Sequence, residues 1–325
     1  MKHARPGEKS SGGFASIVAI GTIAMALMGA TGASAETPLG PNAQLFGVLA
    51  GGSVTLPGSS TVSWVGQSSA GPEVGAGTEA IGGTGIASGW IGGDLIASAI
   101  TGPAITVFPH AHVEQECVTG GGSISLGNGA TCESTDTSGT SGLLLTLQDA
   151  LVEGSIYATF LAGLTPTTTL GDISLKKYQS LTIKLSTGVN VVSIGNITTA
   201  GVNTIALSAP SGATVVLNIS GTLNLGAATQ VFANSGRLSP HNLIWNIESA
   251  NPTFGSGVVL NGTLINFTDG ATTVTFGARS GVAGAVLTSG SVVANAATHV
   301  NFWPFTASLG IGGCVVTPGQ VSPDC

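Results

Sequence analysis

The sequence predicts a mainly β chain wound as an irregular right-handed β-solenoid, with one long α-helix packed alongside. Three observations carry that expectation. Between Leu185 and Pro323, a stretch of 139 residues, only Arg237, Glu248, Asp269 and Arg279 are charged. Within it apolar residues alternate with small polar ones, as in Thr214-Val215-Val216-Leu217-Asn218-Ile219-Ser220 and Leu243-Ile244-Trp245-Asn246-Ile247. Period two over short runs, broken by Gly and Asn, is the pattern of successive strands with no room for helices. A single segment, from Leu143 to Leu164, carries helical spacing instead.

Composition narrows the class. Charged residues make up 7% of the 325 residues and aromatics 5%, yet 42% are hydrophobic and 51 are glycine. A disordered chain would also be poor in Val, Ile and Leu, so this one can bury a core. Two architectures suit it: a pair of β-sandwiches or a single solenoid, and the solenoid accounts better for uncharged strands throughout. In a solenoid every strand pairs with the coils on both sides, Val, Ile and Leu stack inward, and Ser, Thr and Asn cover the outside. Roughly ten coils at the ~4.8 Å strand spacing would stack to about 50 Å.

At the N-terminus Lys2, Arg5 and Lys9 precede an apolar run from Phe14 to Met28, and Ala33-Ser34-Ala35 follows. That order is expected of a secretory signal peptide over residues 1–35. A permanent membrane anchor is the alternative, but the run is shorter than the ~18–20 residues of a spanning helix. Beyond the leader five basic residues face fourteen acidic ones, a net charge near −9, with Lys176, Lys177, Lys184, Arg237 and Arg279 scattered along the chain. Such a surface offers no footprint for nucleic acid or an anionic membrane. The four cysteines, Cys117, Cys132, Cys314 and Cys325, all follow the leader. An even count in an exported chain reads as disulfides. Cys117–Cys132 with Cys314–Cys325 is the preferred pairing, because each would close a short loop.

Along the chain, residues 45–105 hold short apolar runs separated by glycine turns. Residues 117–142 read as a Gly/Ser/Thr loop closed by the first disulfide. The helix over 143–164 has apolar residues at Leu147, Ala150, Leu151, Ala158 and Leu161, and Pro166 follows it. That stripe is expected to face a core. Strands are then expected at 181–185, 189–194, 204–207, 213–219, 243–247, 258–267, 272–276, 282–287 and 292–294. No exact repeat is visible, so the coils are unequal.

The ordered series Asn190-Val191-Val192-Ser193-Ile194, Asn203-Thr204-Ile205-Ala206-Leu207-Ser208, Gly212 to Gly221, Asn242-Leu243-Ile244-Trp245-Asn246, Leu260-Asn261-Gly262-Thr263-Leu264-Ile265, Gly281 to Leu287 and Thr298-His299-Val300-Asn301-Phe302-Trp303-Pro304-Phe305 resembles the bacterial choice-of-anchor A family. The resemblance spans roughly residues 40–306. It implies an extracellular adhesive β-solenoid domain over 36–307, a short Cys/Pro/Gly tail over 308–325, and no catalytic residues to carry over. The architecture is shared more loosely with microbial β-solenoid ice-binding proteins. Family members carry varied C-terminal anchors, whereas Gly310 to Cys325 holds neither a hydrophobic span nor a sorting motif.

Few groups could carry chemistry. In Pro109-His110-Ala111-His112-Val113-Glu114-Gln115-Glu116 a strand would project His110, His112, Glu114 and Glu116 from one face, since side chains alternate. His110, His112 and Glu116 are therefore candidate ligands for Zn²⁺ or another transition metal. The bland alternative is a solvated strand face. The order is also similar to a cupin motif, but the upstream glycine is missing and no second cupin motif follows. A carbohydrate-active solenoid enzyme would need paired carboxylates, and Asp149, Glu153 and Asp172 form no convincing pair. Ice binding would need a flat array of Thr, and no ladder of Thr at a fixed period is visible. The expectation is a secreted, non-enzymatic adhesive or matrix module with no cofactor. Its ligand would be an extracellular surface, polysaccharide or matrix, met by Ser, Thr and Asn with aromatics such as Trp64 and Trp90. Ice binding and a carbohydrate-active enzyme are the alternatives.

Overall fold

The computed structural model describes residues 39–64, 73–76, 78–81, 89–233, 238–249, 251–268, 272–305 and 309. The expected signal peptide and the 308–325 tail apart from Leu309, with Cys314 and Cys325, lie outside them. Every strand pairing in the structure is parallel, and the strands form three ladders around one apolar axis, as expected of a β-solenoid.

The first ladder, in spatial order, stacks Leu95–Ala97, Glu73–Ala76, Phe46–Ala50, Val286–Thr288, Thr263–Asn266, Leu243–Ile247, Thr214–Ile219, Val189–Ile194 and Thr168–Leu170. The second stacks Ser123–Leu126, Pro103–Val107, Thr78–Ile81, Ser53–Leu56, Ser291–Ala294, Thr273–Phe276, Thr253–Phe254, Leu223–Leu225, Ile197–Thr199 and Ile173–Leu175. The third stacks Trp90–Ile91, Thr61–Trp64, His299–Phe302, Gly281–Ala283, Val259–Asn261, Gln230–Ala233, Thr204–Ser208 and Ser180–Lys184. At one end His112–Thr119 and Thr131–Asp136 turn the corner and serve the first and third ladders together.

The order along the axis is not the order along the chain. From Phe46 the first coils wind away from the middle as far as Asp136. A helix, α1 (Gly142–Ala162), then returns past the first ladder, and the remaining coils wind back from Thr168 until His299 pairs with Thr61. A helix of 21 residues is about 31 Å long at 1.5 Å per residue. That length passes six or seven rungs at ~4.8 Å, and α1 touches first-ladder strands from Leu95–Ala97 to Thr214–Ile219.

Alternation sorts the side chains. Val192, Leu217, Trp245, Leu264 and Val286 of the first ladder point into the axis with Val54, Val274, Val292, Val231 and Leu260 of the others. On the outside of the first ladder Val191, Val216, Ile244, Ile265 and Leu287 form a second apolar layer with Leu144, Leu147, Ala150, Tyr157 and Leu161 of α1. Gly154, in the middle of the helix, is explained here: a Cβ would come within 2.4 Å of the Phe267 ring. Polar groups fix the helix at two points. The Glu153 carboxylate accepts from Asn42 Nδ2 at 3.0 Å and Ala43 N at 2.8 Å. Near the C-terminal end, Asn218 Nδ2 donates to Leu161 O at 2.7 Å and Asn246 Nδ2 to Ala158 O at 3.3 Å, so the last carbonyls of the helix gain partners.

Several expectations need correction. Residues 117–142 are not a loop: they hold Ser123–Leu126 and Thr131–Asp136, the strands of a complete coil. The Cys117–Cys132 disulfide, with Cα atoms 6.0 Å apart, joins neighbouring coils and does not close a loop. The runs expected at 258–267 and 282–287 are each two strands, split at Gly262 and Gly284. Both glycines turn corners at positive φ, 101° and 155°, where a side chain is disfavoured.

Candidate functional site

α1 covers the first ladder, and among the described residues no α-helix covers the second or the third. On the second, register aligns one outward column: Ser125, Thr106, Thr55, Val293, Thr275, Thr253, Asn224, Thr198 and Ser174. The gap between Thr55 and Thr106 is filled by Ala80. None of these residues is charged. The inward neighbours Val54, Leu56, Val274, Phe276, Phe254 and Leu225 are buried, and the Phe254 and Phe276 rings stack at 4.8 Å beneath the Thr253–Thr275 rung. The outward column therefore stands on a packed floor with rungs ~4.8 Å apart. Beside it Ser53 Oγ meets Ser291 Oγ at 3.1 Å, and Asn251 Oδ1 accepts from Thr273 N at 2.9 Å.

This array is a surface feature that sequence reading missed. Thr253, Thr275 and Val293 are 22 and 18 residues apart in sequence, while Thr198, Asn224 and Thr253 are separated by 26 and 29. Unequal corners hide the alignment from any fixed period. The signal available in sequence was the single outward Thr within each short apolar run, as in Thr253-Phe254 and Val274-Thr275-Phe276.

The third face is chemically richer and less regular. Its outward column reads Thr131, His112, Trp90, Thr61, His299, Gly281, Val259, Gln230, Thr204 and Ser180. Trp90 Nε1 donates to Glu114 Oε1 at 2.8 Å, His112 Nε2 lies 3.5 Å from the same oxygen, and His112 Nδ1 contacts Thr131 Oγ1. Thr61 Oγ1 and His299 Nδ1 are 2.8 Å apart. Aromatic, glycine and aliphatic rungs alternate, so this face has no constant height.

The candidate metal face does not assemble. His110 occupies a turn in the left-handed region, φ 62°, outside the strand that begins at His112. Register shifts after Val113, and Glu116 lies beyond the corner with its N–H on Asp94 Oδ1 at 2.8 Å. Only His112 and Glu114 share a face, and among the described residues no three His, Cys, Asp or Glu are placed to hold a metal ion. Partial burial raises the Asp94 pKa above the ordinary 3.8, against the lowering effect of the Glu116 N–H. Asp172 is held below that value by the backbone and side chain of Asn196. Asp149 is exposed, and Glu153 is engaged with the turn at Asn42. His241 contacts Pro304 O through Nδ1 at 2.6 Å and packs edge-on to Trp303.

No family model matches this chain, and no curated protein matches it, so membership of the choice-of-anchor A family is not shown. Solved structures do resemble it. A glycosylated ice-binding protein from an Arctic yeast is 17% identical, covers 88% of this chain and 98% of its own, and superposes with a TM-score of 0.51. An ice-binding protein from an Antarctic biological consortium is 16% identical over 85% of this chain and 96% of its own, with a TM-score of 0.50. These likenesses show the fold: a mainly β solenoid with one long helix beside it.

Proposed function

We propose that this protein is a non-enzymatic ice-binding protein that works through the threonine column of its second ladder. The observation that carries the proposal is that column, aligned by strand register and free of charged side chains. A surface that recognises a crystal must repeat in two dimensions, stay rigid, and expose hydroxyls and methyls that leave water ordered. Threonine meets these needs because its branched Cβ restricts χ1, so little side-chain entropy is lost on contact. Charged side chains would hold their own hydration shells and break the pattern. The resemblance to structures of ice-binding proteins supports the reading, since the same fold occurs in proteins that bind ice. An export signal over residues 1–35 would place the protein where ice forms, and no helix among the described residues is long and apolar enough to cross a membrane.

Adhesion to another extracellular surface is the second reading, favoured by the Trp90–Glu114–His112 cluster of the third face. One assay separates the two. The purified protein should inhibit ice recrystallisation. Thr253→Tyr with Thr275→Tyr, which raises a bulge on the flat array, should weaken inhibition about tenfold or more, while Trp90→Ala leaves it unchanged. Absence of inhibition in the unaltered protein would sink the ice reading, and loss in Trp90→Ala alone would move the site to the third face.

A further inference from the structure

Among the described residues the two ends of the solenoid are open, opposite in charge and matched in strand direction. At one end the last coil consists of Ser123–Leu126 and Thr131–Asp136, paired to the coil behind them. At the other end Thr168–Leu170, Ile173–Leu175 and Ser180–Lys184 pair only with the coil that follows. Among the described residues no strand extends either end. The inward side chains show it: Ile124 and Cys132 at one end, and Leu170, Leu175 and Leu181 at the other, are only partly buried against the core. Inward residues of the coils between them, such as Val54, Leu217, Leu260 and Val274, are fully buried. An uncovered sheet edge with an apolar centre is a template for pairing with another chain, and solenoids usually close such ends with a polar cap.

Charge distinguishes the ends. Glu133 and Asp136 belong to the last coil of the first end, with Glu114 and Glu116 one coil behind, and the sequence has no Lys or Arg from Glu36 to Leu175. The opposite coil carries Lys176, Lys177 and Lys184, all exposed, three of the five basic residues beyond the leader. The basic residues that look scattered in sequence are thus gathered at one end. Asp172, the acid of that coil, is turned toward the next coil by its bonds from Asn196 N at 2.8 Å and Nδ2 at 2.9 Å.

We propose that copies of this chain associate head to tail, the acidic coil of one seated on the lysine coil of the next. All pairings are parallel, including the seam where His299–Phe302 meets Thr61–Trp64, so both halves circulate in the same sense. A simple shift along the axis then sets Thr131–Asp136 beside Ser180–Lys184, and Ser123–Leu126 beside Ile173–Leu175, as parallel neighbours. The register carried through the ladders sets Cys132 against Leu181 and Glu133 against Thr182, with Lys184 the next outward position along that strand, while Ile124 meets Ile173 and Leu126 meets Leu175. The contact is heterologous and does not close, so it builds a linear array in which the threonine columns of successive copies follow one line.

The test is sedimentation velocity on the purified protein at low and at high salt, without ice. At low salt, where screening is weak, sedimentation should rise with protein concentration, and high salt should reverse the effect. Lys176→Glu/Lys177→Glu/Lys184→Glu gives a copy with two acidic ends, and Glu133→Lys/Asp136→Lys one with two basic ends. Each should remain monomeric alone, and an equimolar mixture should associate again. Zero-length carbodiimide coupling of the unaltered protein should join Glu133 of one copy to Lys184 of another, a readout that needs no variant to fold. A monomer at every concentration in low salt, association unaffected by either charge reversal, or cross-links lying elsewhere would overturn the proposal.

Discussion

The helix-covered first ladder and the threonine face are built on the same rungs, yet one is interior and the other surface. Both have parallel pairing and buried inward residues such as Leu217 and Val274. They part only at the outward position. There Val191, Val216, Ile244, Ile265 and Leu287 are buried under α1, whereas Thr55, Thr253 and Thr275 stay half-exposed. Backbone pairing makes the wall, and one side chain in two decides what the wall is for. An apolar outer column recruits a helix, since burying each Ile or Leu contributes about 1.5–3 kcal/mol. A threonine column has little apolar surface to bury, and among the described residues no helix packs on it.

The largest effect should come from exchanging the two outer columns. Ile244→Thr together with Ile265→Thr, under the helix, removes methyl groups and buries two hydroxyls without partners, and should lower stability by about 3–6 kcal/mol. Thr253→Val with Thr275→Val on the open face should change stability by less than about 1 kcal/mol. Denaturant unfolding of both double variants checks this, and equal losses would show that the two faces do not differ as described.

A smaller effect should follow at the helix contact. Gly154→Ala improves helix propensity by about 1 kcal/mol, yet its Cβ would fall 2.4 Å from the Phe267 ring. The clash should win, for a net loss of about 1–2 kcal/mol. Phe267→Leu in the same chain should restore part of it in the same unfolding measurement.

The smallest effect separates two aspartates. Asp94 has a folded-state pKa raised by burial, so the native state binds its proton more readily and this residue favours folding as pH falls through that pKa. Asp172 has a lowered pKa from Asn196, so its contribution is present above the unfolded value and lost as pH falls. Asp94→Asn, which keeps an acceptor for Glu116 N, should leave stability at neutral pH unchanged or slightly higher and flatten its rise below about pH 5. Asp172→Asn should lower stability at neutral pH slightly. Unfolding midpoints followed from pH 7 to pH 3 distinguish the two, and parallel profiles would contradict the assignment.

Much of this was legible in the chain. The strands Val189–Ile194 and Leu243–Ile247 fall at the residues where alternation places them, and α1 differs from its expected bounds by one or two residues. Alternation and helical spacing are local, so a single sequence carries them. Corners were harder, because Gly262 and Gly284 interrupt runs that stay apolar on both sides. The strand over Thr131–Asp136 was hidden by its exposure: on an end coil, Ser, Thr and Glu line a strand with little core to face. The His110/His112 pair misled because alternation was assumed across a turn.

By itself the sequence determined that the chain is made of uncharged strands with one amphipathic helix, and which residue of each pair faces inward. Only the tertiary structure decided which rungs are neighbours. The helix carries the chain back along the first ladder, so that Thr61 pairs with His299, 238 residues away, and unequal corners bring Thr198, Thr253, Thr275 and Thr55 into one column. The same stacking gathers Lys176, Lys177 and Lys184 at one end and Glu133 and Asp136 at the other. Side-chain direction follows from backbone geometry two residues at a time, whereas the alignment of rungs is a long-range choice made by hydrogen bonds and core packing between coils.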